Sequence, residues 1–181
     1  MRRVLYALLA LLVAVATMIV IPRLSPDEQA AEHCVVQVLG QKPSGEMILS
    51  QPRCVVGAAA RAELLTSMGV DEWATDINLI STGVTQSQRA LLSRSASSIL
   101  AVHYDYNNGP SITVAGNDCN GGYINLSTSW INRISKTVNF LCPRIKHFDF
   151  WNLSGTYQST WYGIPNLTYM SNRANSIQYT H

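Results

Sequence analysis

Leu100, Val102, Tyr104 and Tyr106 alternate along the chain with Ala101, His103 and Asp105. Further on, Phe148 and Phe150 alternate with His147 and Asp149. A period of two predicts a half-buried strand in each place. On that pattern the aromatic side chains face inward and the His and Asp residues face solvent. Short runs with turn signals between them predict further strands at Ser111 to Val114, Tyr123 to Leu126 and Ile134 to Val138. Their counterparts are Gly155 to Ser159, Asn166 to Tyr169 and Ser176 to Tyr179. Asn125-Leu126-Ser127 returns as Asn166-Leu167-Thr168, and Asn132-Arg133 as Asn172-Arg173. A repeat of about 40 to 44 residues means one supersecondary unit used twice. Four short strands per copy predict an all-β main domain over residues 98–181, a sandwich of two Greek keys.

The pattern before residue 98 is different. Cys34 to Leu39 and Met47 to Ser50 read as two strands joined by the turn signal Pro43-Ser44-Gly45. Ala59, Leu64, Leu65 and Met68 allow a short helix from Ala58 to Met68 that stops at Gly69. Thr85 or Ser87 is placed to cap another short helix through Ala90-Leu91-Leu92. Residues 34–97 are thus expected to form a hairpin with short helices, after a polar linker over 22–33.

Residues 1–21 read as a targeting segment. Arg2 and Arg3 precede an apolar run from Val4 to Ile21 that Pro22 ends. Ala14-Val15-Ala16 offers a signal-peptidase site, while the whole run is just long enough to span a bilayer as an uncleaved anchor. Either way the remainder is exported, to the extracellular space or the outer face of the membrane. With 181 residues, 13% charged and a formal charge of +2, the chain carries no basic cluster of the kind nucleic-acid binders use.

Four cysteines in an exported chain predict two disulfides. Folding the hairpin about Ser44 brings Cys34 opposite Cys54, where antiparallel Cβ atoms lie near bonding distance. Cys119 and Cys142 remain as the second pair, closing a loop of about two dozen residues.

Phe148-Asp149-Phe150-Trp151-Asn152-Leu153-Ser154-Gly155, then Pro165-Asn166-Leu167, then Asn172-Arg173-Ala174-Asn175-Ser176-Ile177-Gln178-Tyr179, resembles a βγ-crystallin Greek key. The first copy matches less closely, with Ser111 where Gly155 stands in the second. Ile99 to Asp105, Gly116 to Gly122, Trp130 to Ser135 and Ser176 to Tyr179 also resemble a group of secreted actinobacterial proteins. That group is classed with a crystallin-like inhibitor of metallopeptidases. The resemblance covers roughly residues 98–181 and implies the fold more specifically than the activity.

It also implies a calcium loop before the last strand of each copy, where hard oxygen ligands cluster. Asn132 and Ser135 match that motif in the first copy, and Asn172 and Ser176 in the second. Ile131 and Lys136 stand where the first copy would need oxygen donors. No carboxylate lies in either loop, so calcium is expected to bind weakly if it binds. Without calcium, these residues hydrogen-bond the loop itself.

No zinc helix, nucleophile elbow or phosphate loop occurs, and no enzymatic activity is expected. Two loops carry partner-binding features. Asn117, Asn120 and Gly121 flank Cys119 in a tight turn, and a disulfide-held loop loses little entropy on docking. Trp161 and Tyr162, with Trp151, make an aromatic cluster suited to protein or sugar. The expected function is non-catalytic binding, through steric loop insertion into a secreted peptidase or attachment to a cell-wall or surface component. A calcium-stabilised surface module is the alternative.

Overall fold

The computed structural model describes residues 30–70, 98–106, 109–162 and 166–181. The targeting segment, most of the linker, the helix through Ala90-Leu91-Leu92 and residues 163–165 lie outside the described residues. The strands are β1 (Glu32–Gln41), β2 (Met47–Leu49), β3 (Arg53–Val56), β4 (Ser98–Tyr104), β5 (Ser111–Gly116), β6 (Tyr123–Asn125), β7 (Lys136–Asn139), β8 (Arg144–Phe148), β9 (Tyr157–Trp161) and β10 (Ser176–Thr180). One helix, α1 (Ala58–Ser67), follows β3. It ends where Gly69 adopts φ +74°, a conformation that glycine takes without strain.

The strands form two sheets. The first runs β2-β1-β5-β4-β7, with β3 also on β1; the second runs β6-β10-β8-β9. Among the named strands, every pair is antiparallel except β1 on β5. The register about Ser44 holds at both ends of the stapled segment: Gln41 pairs with Met47 and Cys34 with Cys54. A bulge between Val38 and Gly40 separates the two stretches. Both disulfides form, Cys34–Cys54 and Cys119–Cys142. Such bonds persist in an oxidising compartment. No described helix is long and apolar enough to cross a membrane.

The two repeats are linked across the sheets. β6, from the first copy, lies in the second sheet against β10, while Asn166, from the second copy, bridges Lys136 on β7. The main core draws Leu100, Val114, Ile124, Ile145 and Ile177 from both sheets, together with Trp130, Cys119 and Cys142. A second core joins Leu64 and Leu65 of α1 to Val35, Val102, Tyr104 and Val138 of the first sheet. That sheet is therefore covered on both faces, and every residue of β4 is buried.

Double coverage corrects the expected alternation in β4, and in β8 His147 falls on the inward face with Ile145. His103 and His147 are fully buried, whereas Tyr106 and Phe150 are exposed. The last two lie beyond the ends of β4 and β8, where the chain has left the ladder. Asn166 to Tyr169 forms only the Asn166 bridge rather than a strand. Gln158 explains this: its Oε1 accepts from the backbone N–H of Thr168 and of Met170, replacing a ladder with a side chain.

The alignment of the copies also shifts. Tyr104 pairs with Ser111 and Phe148 with Tyr157, so Ser111 corresponds to Tyr157. Gly109, not Ser111, is then the counterpart of Gly155. A Cβ on Gly109 would strike the Tyr106 ring at 2.5 Å, and one on Gly155 would strike Phe150 at 2.5 Å and Asp149. Both copies keep the close approach of an aromatic ring to a glycine.

Candidate functional site

The two His-x-Asp repeats separate into different roles. His103 Nδ1 and His147 Nε2 each lie 2.8 Å from Thr137 Oγ1, and His103 Nε2 lies 2.8 Å from Tyr179 Oη. Burial holds the His103 pKa well below its ordinary value, with nearby His147 adding to the effect. Burial lowers that of His147 to about 3, opposed by a backbone hydrogen bond. Burial likewise raises the Tyr179 phenol above its usual range. The network is a buried, neutral link between sheets, closed to substrate. Asp105 and Asp149 instead pair with Arg133 and Arg173, at 2.8 and 3.1 Å.

The residues matching the calcium motif are engaged in turns. Asn132 and Asn172 adopt φ +58° and +56°, a region that asparagine tolerates better than most residues. Their backbone N–H groups cross between copies, Asn132 to Ala174 O and Asn172 to Ile134 O, each at 2.9 Å. Asn132 Oδ1 accepts from Asn175 Nδ2. Ser135 donates its backbone N–H to Tyr104 O and accepts from Leu167 N–H. Ser176 Oγ donates to Phe150 O at 2.6 Å and accepts from Leu153 N–H at 3.1 Å. It thereby holds the turn after β8 onto the sheet. Replacing Ser176 with Ala is expected to destabilise the fold by about 1–2 kcal/mol. Thermal melts should show the same loss with and without millimolar calcium; a loss that calcium alone creates would restore a metal role.

Loop 117–121 is clamped on three sides. Cys119 is bonded to Cys142. The Gly121 N–H donates to Tyr179 O, and Gly121 O accepts from Gln178 Nε2. Asp118 Oδ1 accepts from the Asn120 N–H across the tip. Gly121 has φ +84°, which allows the chain to turn back into β6. Asn117, Asp118 and Asn120 remain exposed. Beside them opens a cleft of about 220 Å³, lined by Leu39, Gly40, Gln41, Met47, Asn117 and Asp118 among others.

The register of the second sheet decides which of the aromatic candidates meet. Thr180 pairs with Arg144 and Arg144 with Trp161. The Gly121 bond to Tyr179 puts loop 117–121 at the same end of the sheet. Trp151 lies at the opposite end, in the turn beyond Phe148. Tyr162 is half-buried and donates its hydroxyl to Leu141 O. The expected cluster of Trp151, Trp161 and Tyr162 is thus divided. Trp161 stays exposed, with the Arg144 guanidinium 5.0 Å from its ring. Lys146 lies 5.6 Å from the Tyr157 ring on the same face. Neither cation has an acidic partner among the described residues. Arg144 and Lys146 were not foreseeable as site residues, because only cross-strand register aligns them with Trp161 and Tyr157.

The described residues hold one close grouping of metal-ligand types, Glu32 with Cys34 and Cys54. Its two sulfurs are joined in the disulfide and offer no thiolate. No family model, curated protein or solved structure matches the chain.

Proposed function

We propose that this chain is an exported binding protein of crystallin-like build that obstructs a secreted peptidase without turnover. The contact surface is one end of the second sheet, from loop 117–121 across Thr180 and Arg144 to Trp161. The observation that carries the reading is the clamping of the loop. A disulfide and hydrogen bonds to β10 fix it while three polar side chains face outward. A preorganised loop keeps its binding energy instead of spending it on ordering. Trp161 and Arg144 supply the aromatic and guanidinium groups that dominate interface energetics. The uncompensated charge of Arg144 and Lys146 favours a partner with an acidic rim.

Support for the crystallin-like build comes from the links that β6 and Asn166 make across the sheets and from the paired glycine–aromatic turns. A calcium-stabilised module is the weaker alternative, since Ser176 Oγ and Asn132 Oδ1 already have partners. Secreted metallo- and serine peptidases assayed with micromolar protein should include at least one that is slowed in proportion to added protein. Unchanged rates across the panel would sink the inhibitory reading.

A further inference from the structure

Arg61 on α1 is fully buried, and no described carboxylate pairs with it. Its Nη1 donates to Tyr104 Oη at 3.4 Å and to Ser111 Oγ at 3.3 Å, both long. Its Nε and Nη2 have no acceptor among the described residues. Those two nitrogens form the flat edge of the guanidinium that matches two oxygens of one anion. Arginine stays protonated in proteins, so this edge presents a fixed positive charge inside the fold. An isolated buried charge is strongly unfavourable, and proteins keep one only when something compensates it.

Ser111 Oγ also lies 2.8 Å from His33 Nδ1. His33, Ser111, Tyr104 and Lys136 stand in one row across β1, β5, β4 and β7, and the Lys136 ammonium is 5.3 Å from the Tyr104 ring. Thr113, two residues along β5 from Ser111 and so on the same face, has a buried hydroxyl without a partner among the described residues. Glu63, on α1, and Glu32, on β1, are exposed.

We propose that the Nε–Nη2 edge of Arg61 binds a small oxyanion, a carboxylate or a phosphate, with hydroxyl groups completing the shell. The anion fastens α1 to the first sheet. It lies away from the proposed peptidase-binding end and does not depend on that reading.

The test uses the purified full chain in a chloride-only buffer. Acetate or inorganic phosphate is added to about 10 mM against sodium chloride of equal ionic strength, and the melting temperature is followed. One of the two oxyanions should raise it by a few degrees, which identifies the preferred class. Arg61→Met should abolish the rise. Arg61→Lys keeps the charge but loses the two-nitrogen edge, and should weaken the response at least tenfold in concentration. If Arg61→Met does not fold, broadening of the phosphorus resonance of phosphate by wild type but not Arg61→Lys serves as the readout. No response of wild type to either anion would overturn the proposal, as would an equal response in Arg61→Met. It also fails if Asp71→Asn/Glu72→Gln/Asp76→Asn lowers stability as Arg61→Met does while added anions have no effect. In that case the chain's own carboxylates supply the charge.

Discussion

Lowering the pH from 7 to 4.5 is expected to remove about 2.5 kcal/mol of folding stability through His147, with a further loss through His103. Both are fully buried and both have pKa values depressed by that burial, His147 to about 3. In the unfolded chain each would titrate near its ordinary 6.5. Below that pH the unfolded state takes up protons that the folded state refuses. Stability is therefore complete above 6.5 and lost as the pH falls toward the folded values. Each histidine contributes a slope of about 1.4 kcal/mol per pH unit. The total is a large share of the roughly 5–15 kcal/mol typical of a domain. Urea midpoints measured from pH 7 to 4.5 should fall steeply in wild type and much less in His103→Gln/His147→Gln. Equal slopes would mean that the network is not what acid breaks.

The second large effect is expected from the Cys119–Cys142 bond. It spans 23 residues of sequence, and both cysteines are buried in the main core. Replacing both with Ser should destabilise the fold by about 3 kcal/mol through the freed unfolded chain, with a further loss from burying two hydroxyls. The same replacement releases loop 117–121, so partner affinity should fall along with stability. Cys34→Ser/Cys54→Ser removes a comparable closure of 20 residues. Because that disulfide lies at β1 and β3, stability should fall while partner affinity is retained. Equal affinity losses from the two pairs would show that general destabilisation, not the loop, governs binding.

How much of this was legible in the sequence depended on whether the signal was local. The hairpin register about Ser44 followed from one turn and put Cys34 against Cys54. Helix α1 followed from its apolar spacing and Gly69. The His-x-Asp alternation misled in β4 because a strand covered on both faces no longer sorts polar from apolar residues, and in β8 because His147 falls on the inward face with Ile145. His103 can be buried when Thr137 and Tyr179, 34 and 76 residues away, reach its two ring nitrogens. The same limit applied to the site. Asn117, Asn120, Gly121 and Trp161 were recognisable by type, yet only the pairing of β10, β8 and β9 shows which end each occupies. That pairing separates Trp151 from Trp161 and introduces Arg144. The glycine counterpart in the first copy was obscured because its turn is shorter than that of the second.

The division of the two tryptophans allows the most direct test of the proposed contact surface. Against a peptidase that the protein slows, inhibition constants would be compared for wild type, Asn120→Ala/Trp161→Ala and Trp151→Ala, with melting temperatures alongside. Asn120→Ala/Trp161→Ala should weaken inhibition by at least about tenfold at an unchanged melting temperature, the scale expected for a hot-spot aromatic. Trp151→Ala, at the far end of the sheet, should match wild type. Weakening by Trp151→Ala with none from Asn120→Ala/Trp161→Ala would contradict the assignment of the binding end.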